Sequence, residues 1–94
     1  MKKELFSIIT GDLTRCYVCG RPYPQIHHIM NGANKKKSEK YGLILPLCMN
    51  HHTGAAGVHS KPEKMLAMRQ LGQKYFEQTH TREEWIQEFG KSYL

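Results

Sequence analysis

Cysteine and histidine spacing carries the clearest chemical signal in this 94-residue sequence. Cys16 and Cys19 form a C-x-x-C pair, and Cys48 precedes His51 by the same interval. Because thiolates and imidazoles are the usual ligands of tetrahedral zinc, the two pairs predict a four-ligand site of three cysteines and one histidine. This set accounts for all three cysteines. Two alternatives stay open: His52 could replace His51 as the fourth ligand, or the C-x-x-C pair could be redox-active and unrelated to a buried Cys48.

Four more histidines lie in the same part of the chain, at His27, His28, His52 and His59. A neutral imidazole serves both as a ligand for divalent metals and as a general base near neutral pH. A metal beside a phosphodiester offsets developing charge while a histidine activates water. The group therefore favours a hydrolytic metal site, whereas the alternative interpretation is four ordinary surface or core histidines.

The positive charge of the chain is confined to the same segment. Of the net charge of +6, residues 1–61 carry all of it, with nine Lys or Arg and three acids, whereas residues 62–94 carry five of each sign. Such an excess favours a polyanionic partner, with DNA the leading candidate, or simply a basic surface that keeps the protein soluble. The densest basic group provides candidate phosphate contacts at Lys35, Lys36, Lys37 and Lys40.

Short strands and polar connections are predicted before residue 62. The strands are expected at residues 5–10, 23–30 and 43–47, of which the last is the clearest buried strand. Residues 16–20 should form a tight turn between short strands, and residues 31–38 a polar loop. A helical turn is expected to begin near Cys48.

Two helices are predicted after Pro62. Proline followed by Glu63 is typical of a helix start, and good helix formers continue to about residue 78. Residues 81–84 match a capping box that opens a second helix, which Gly90 ends. We therefore expect one α+β domain over residues 1–94, with a zinc and catalytic segment at 1–61 and a helical extension at 62–94.

The cellular environment is predicted to be reducing and cytoplasmic. An odd number of cysteines argues against a closed disulfide framework. The first residues carry lysine but lack the apolar stretch and cleavage site of a signal peptide. No apolar run approaches the ~18 residues of a membrane span, so no membrane contact is expected.

The order of these motifs resembles the HNH (His-Me finger, ββα-metal) endonucleases. The likeness is carried by Cys16-x-x-Cys19-Gly20, Ile26-His27-His28-Ile29, a Gly/Asn/Lys loop, the strand at 43–47 and Cys48-x-x-His51-His52. It covers residues 16–59 and is most similar to the phage-borne branch related to the Ref-type recombination nucleases. The resemblance implies a metal-dependent DNA endonuclease or nickase with a zinc-stapled ββα-metal fold, acting with DNA and with a phage or recombination protein.

The resemblance also implies roles for individual residues. His28 would be the general base, His27 and His52 would bind the catalytic metal, and His59 would be a candidate third ligand. Cys16, Cys19, Cys48 and His51 would hold a structural zinc. The family's usual catalytic ion is Mg²⁺ or Mn²⁺, although an all-histidine set also suits Zn²⁺ or Ni²⁺.

Two features depart from the family pattern. Leu43 stands where the family has its middle asparagine, and Asn34 is the candidate to take over that residue's role of fixing the loop. The turn at residues 54–57 interrupts the last helix of the motif. The competing functional class is a non-catalytic zinc module that binds nucleic acid.

Overall fold

Two short antiparallel strands form the base of the fold in the computed structural model, which describes residues 4–54 and 57–94. Strand β1 spans Gln25–His28 and strand β2 spans Ile44–Leu47. Their register sets His27 opposite Leu45 and His28 opposite Ile44. Every residue of β2 is buried, which agrees with its uninterrupted apolar sequence. The strands predicted at 23–30 and 43–47 are thus confirmed with shorter bounds.

The segment between the strands is helical, so the predicted polar loop was wrong. A 3-10 helix at Gly32–Asn34 leads into helix α1, Lys35–Tyr41, which ends at Gly42 with a left-handed φ of 70°. Lysine and glutamate are good helix formers. The helix is also fixed to the end of β1, because the buried Ser38 hydroxyl accepts from Met30 N at 3.0 Å and donates to Met30 O. This contact between Ser38 and Met30 cannot be recognised from the polar composition of the segment, which is why a loop was predicted.

Residues 5–10 do not form the predicted strand. Ile8 N donates to Gly42 O at 2.9 Å. The Ser7 hydroxyl accepts from Ile9 N and Thr10 N, and it donates to Ile44 O at 2.7 Å. A side chain that occupies neighbouring backbone groups in this way competes with a strand ladder. The segment therefore packs beside β2 as an irregular turn.

A tight turn at Cys16–Gly20 is present as predicted, closed by Gly20 N donating to Cys16 O at 2.9 Å. The short strands expected on either side are reduced to a single bridge between Arg15 and Pro22. Tyr17 N donates to Pro46 O at 2.7 Å, and this bond docks the turn on β2.

Helices follow the sheet. Helix α2 spans Met49–His52, and a second 3-10 helix spans Val58–Ser60. Helix α3, Pro62–Phe76, and helix α4, Arg82–Phe89, confirm the two predicted C-terminal helices, including the capping box of Thr81 and Glu84 and the end at Gly90.

The core forms where α3 and α4 cover the sheet. Phe76, Trp85 and Phe89 pack together with buried residues from the strands and their flanks. Gly72 allows α3 to approach closely, because a Cβ at this position would lie 3.1 Å from Ile29. Glycine is unfavourable inside a helix, and the close packing against Ile29 explains why it stands at position 72.

The predicted α+β class is confirmed as a two-stranded sheet with helices. In residues 4–54 and 57–94, no helix combines the length and apolar character needed to cross a bilayer. The predicted turn at 54–57 includes Ala55 and Ala56, which lie outside the described residues, as do Lys2 and Lys3 of the basic segment.

Candidate metal centres

The C-x-x-C turn and helix α2 bring the cysteines together. Cys48 is the N-cap of α2, directly after β2, and the turn of Cys16 and Cys19 is docked on the same strand. His51 lies three residues after Cys48, which places it on the same side of the helical turn. These residues form the cluster that we call the cysteine-rich centre: Cys16, Cys19, Cys48 and His51.

The distances in this centre match a tetrahedral ion. Cys19 Sγ and Cys48 Sγ are 3.7 Å apart, and His51 Nδ1 lies 3.7 Å from Cys16 Sγ and 3.2 Å from Cys48 Sγ. Zn–S bonds of about 2.3 Å and Zn–N bonds of about 2.05 Å at tetrahedral angles require separations of about 3.8 Å for S–S and about 3.5 Å for S–N. All three thiols are free of disulfides. The arrangement can therefore hold a metal ion such as zinc.

The surroundings of the Cys16 thiol also suit a cation. Burial raises the pKa of the Cys16 thiol, but backbone hydrogen bonds from Cys48, Cys19 and Val18 lower it. The hydrogen bonds together outweigh burial, and the pKa of Cys16 falls to about 6. Zinc binds the thiolate form of cysteine. Part of the cost of deprotonation is thus met by the fold.

A second cluster lies on the other side of α2 and consists of His27, His52 and His59, which we call the trihistidine centre. Consecutive residues of a helix are about 100° apart around its axis, so His51 and His52 must serve different centres. One ring nitrogen from each of the three histidines lies within 4.8 Å of the others. His52 Nε2 and His59 Nε2 lie 3.1 Å apart.

His27 is the buried member of the trihistidine centre, with 1% of its surface exposed. Among the residues that the structure describes, neither of its ring nitrogens has a hydrogen-bond partner. Burial, followed by the neighbouring His52 and His59, lowers the pKa of His27 to about 3. A buried polar atom without a partner is costly, and a metal bound to one nitrogen would remove part of that cost. The trihistidine centre therefore fits a divalent metal.

Gln25 orients His52 within the centre. Its side-chain oxygen accepts from His52 Nδ1 at 2.7 Å, which leaves Nε2 facing His59. A metal-binding histidine commonly donates its other N–H to such an acceptor, and the bond fixes both ring orientation and tautomer. Burial, then His59 and His28, lowers the pKa of His52 and favours the neutral ligand form.

The trihistidine centre opens into a cavity of about 280 Å³, and His28, the candidate base, also lines this cavity. His28 is the last residue of β1, and it lines this cavity together with His27, although adjacent strand residues normally face opposite sides. His28 Nε2 bonds Glu39 Oε2 at 2.9 Å. The remaining lining residues are Ile26, Asn31, Lys35, His52 and His59.

The four candidate DNA-binding lysines lie on α1 and have different surroundings. Lys35 lines the cavity. Lys37 donates to Glu88 O at 2.8 Å and pairs with its carboxylate at 3.5 Å. Lys40 lies over the Tyr41 ring, and Lys36 is exposed. Lys35 is thus the member of the set that shares the cavity with the histidines.

The structure brings together the cysteines and histidines that the sequence analysis selected as metal ligands, in two separate groups. It assigns His51 to the cysteines and His52 to the other histidines, which resolves the alternative left open by spacing. Glu39 and Gln25 were missed, because only the pairing of α1 and α2 with β1 reveals them. Asn34 makes no side-chain capping bond to α1, and Ser38 anchors that segment instead.

Comparisons with known proteins found no match, whether against protein-family models, curated proteins or solved structures. The resemblance to HNH endonucleases therefore stays a prediction from motif order.

Proposed function

We propose that this chain is a metal-dependent DNA endonuclease or nickase that hydrolyses a phosphodiester bond in the cavity beside the trihistidine centre. The observation that carries the proposal is the convergence of His28, the three histidines of that centre and Lys35 on one cavity. A general base, a metal site and a cationic side chain can together catalyse phosphodiester hydrolysis.

Each of these residues has a separate task in the proposed reaction. Lys35 attracts and orients the phosphate with its ammonium group. His28 accepts a proton from the water that attacks phosphorus. A divalent metal held by His27, His52 and His59 would offset the charge that develops on the phosphate and on the leaving oxygen. Mg²⁺, Mn²⁺, Zn²⁺ and Ni²⁺ are the candidate ions, of which the last two are better suited to imidazole.

The cysteine-rich centre has a structural task in this proposal. It fastens the C-x-x-C turn to the junction of β2 and α2, and α2 also carries His52. A metal in the cysteine-rich centre thereby fixes the position of one ligand of the trihistidine centre. The excess positive charge of residues 1–61 supports a polyanionic substrate.

The test is cleavage of a supercoiled plasmid by the full chain, with no added metal and then with Mg²⁺, Mn²⁺, Zn²⁺ or Ni²⁺. We expect metal-dependent nicking that His28→Ala lowers by about 10²- to 10⁴-fold, the range contributed by a general base. His80→Ala is the matched control, since His80 stacks on Phe76 away from the cavity, and it should nick normally.

The contrary outcome is equally informative. If the wild-type chain binds DNA but does not nick it with any of these ions, the nuclease proposal fails. The non-catalytic zinc module that binds nucleic acid is then the better description. Loss of nicking in His80→Ala at unchanged folding would also contradict the assignment of the base.

A further inference from the structure

Glu39 is an acidic residue in a segment that is otherwise strongly basic, and its carboxylate faces a histidine of the cavity. Residues 1–61 contain three acids in all. Glu39 Oε2 lies 2.9 Å from His28 Nε2, and the side chains of Glu39 and His28 are 25% and 15% exposed. Partial burial makes this pair stronger than a bond between solvent-exposed groups.

Helix α1, which carries Glu39, is anchored at two residues that precede Glu39. Ser38, its neighbour, bonds the backbone of Met30 just after β1. Lys37 bonds Glu88 at the end of α4. Helix α1 is therefore anchored to the strand that carries His28 and to the C-terminal helices. Such anchoring gives a carboxylate a defined position relative to the imidazole that it contacts.

We infer that Glu39 is a positioning residue for His28, an inference that rests on the proposed nuclease function. An ionised carboxylate can only accept hydrogen bonds, so the facing Nε2 must carry the hydrogen. In the neutral ring the unprotonated nitrogen is then Nδ1, because Nε2 is the nitrogen that faces Glu39. Glu39 thus selects both the ring orientation and the nitrogen that accepts the proton of water.

A purely structural role would have different consequences. If the pair only fastened α1 to β1, its loss would lower the melting temperature without affecting the turnover rate. The substitution Glu39→Gln separates these roles because it preserves size. Its amide can donate as well as accept, and it therefore no longer dictates which ring nitrogen carries the hydrogen.

The experiment combines ring ¹⁵N NMR of the zinc-loaded full chain with single-turnover nicking. We expect wild-type His28 to show the neutral Nε2–H tautomer and Glu39→Gln to show a mixture of tautomers. The nicking rate at saturating plasmid should fall roughly 10- to 100-fold, the usual effect of removing an orienting partner, with DNA affinity little changed. Glu83→Gln is the matched control for the change in charge, on an exposed position of α4.

Each remaining outcome decides the inference. An Nδ1–H tautomer in the wild type, an unchanged tautomer in Glu39→Gln, or a nicking rate that Glu39→Gln leaves unchanged overturns it. A wild type that shows the Nε2–H tautomer, lost in Glu39→Gln, but never nicks DNA refutes the nuclease proposal while supporting the positioning of His28. The NMR readout thus separates failure of the inference from failure of the proposed function.

Discussion

The cysteine-rich centre and the trihistidine centre share one helical turn but differ in composition and surroundings. The first offers four donors, three of them sulfur, with two of its cysteines buried. The second offers three imidazoles and lines a cavity. Structural zinc sites have four protein ligands, whereas catalytic sites leave a coordination position open. Neighbouring residues of one helical turn, His51 and His52, thus contribute to two sites of different donor composition.

The donor types also separate the two centres by the ions that they should accept. Thiolates favour zinc strongly, whereas imidazoles bind several transition metals and are poor ligands for Mg²⁺. We therefore expect zinc to remain at the cysteine-rich centre while the ion of the trihistidine centre exchanges. Variants that remove one centre at a time test this distinction.

The largest effect is expected from Cys16→Ser. Replacing one ligand should remove zinc from the cysteine-rich centre, and structural zinc contributes about 10–16 kcal/mol in small zinc domains. This contribution is as large as the whole free energy of unfolding of an ordinary domain, which is roughly 5–15 kcal/mol, so the variant should be unfolded. Thermal melting followed by circular dichroism, together with zinc content, measures the effect.

The matched control is Val18→Ser on the same turn, because Val18 is exposed and is not among the candidate ligands. It should keep the wild-type melting temperature and metal content. A folded Cys16→Ser protein that retains zinc at this centre would show that the cysteines do not form a structural site.

A smaller structural effect but a large functional one is expected from His59→Ala. His59 is exposed, so in the metal-free chain its removal should change stability by no more than about 0.5 kcal/mol. Native mass spectrometry should find the ion of the trihistidine centre lost and the ion of the cysteine-rich centre kept. Plasmid nicking should fall by at least about 10²-fold, as expected when metal assistance is removed. Loss of both ions together would show that the centres are not independent.

The parts of the fold that were predictable from sequence depended on strong local signals. The capping box at Thr81, the proline at the start of α3 and the apolar run of β2 each specify local structure by short-range physics. The C-x-x-C and C-x-x-H spacings likewise identified the cysteine-rich centre, because metal ligation imposes a narrow range of short spacings.

The missing parts depended on contacts between distant segments. Helix α1 was interpreted as a loop because its composition is polar, whereas its anchors are Met30 and Glu88, outside the helix. Gln25 and Glu39 lie in no recognisable motif. Their roles follow only from the pairing of β1 with α2 and α1, which spacing along the chain does not encode.

A moderate effect, confined to the trihistidine centre, is expected from Gln25→Ala. The variant removes the acceptor for His52 Nδ1, so the ring is no longer fixed with Nε2 toward His59. Loss of such a partner typically weakens metal binding by about 10- to 100-fold. Competition with a chromophoric chelator measures the affinity. Gln87→Ala, at an exposed position of α4, is the control. An equal loss of zinc from the cysteine-rich centre would contradict the separation of the two centres.

The smallest effect is expected from Lys35→Ala, which leaves both centres intact. Lys35 lines the cavity, whereas its neighbour Lys36 is exposed outside it. Removing either lysine lowers the positive charge equally and should weaken long-range attraction of DNA to a similar extent. Only Lys35→Ala should lose a charge-assisted contact to the scissile phosphate, worth about 1.5 kcal/mol or roughly tenfold in nicking rate. Single-turnover nicking of both variants measures the difference. Equal rates would mean that the cavity of the trihistidine centre does not hold the phosphate that is cut.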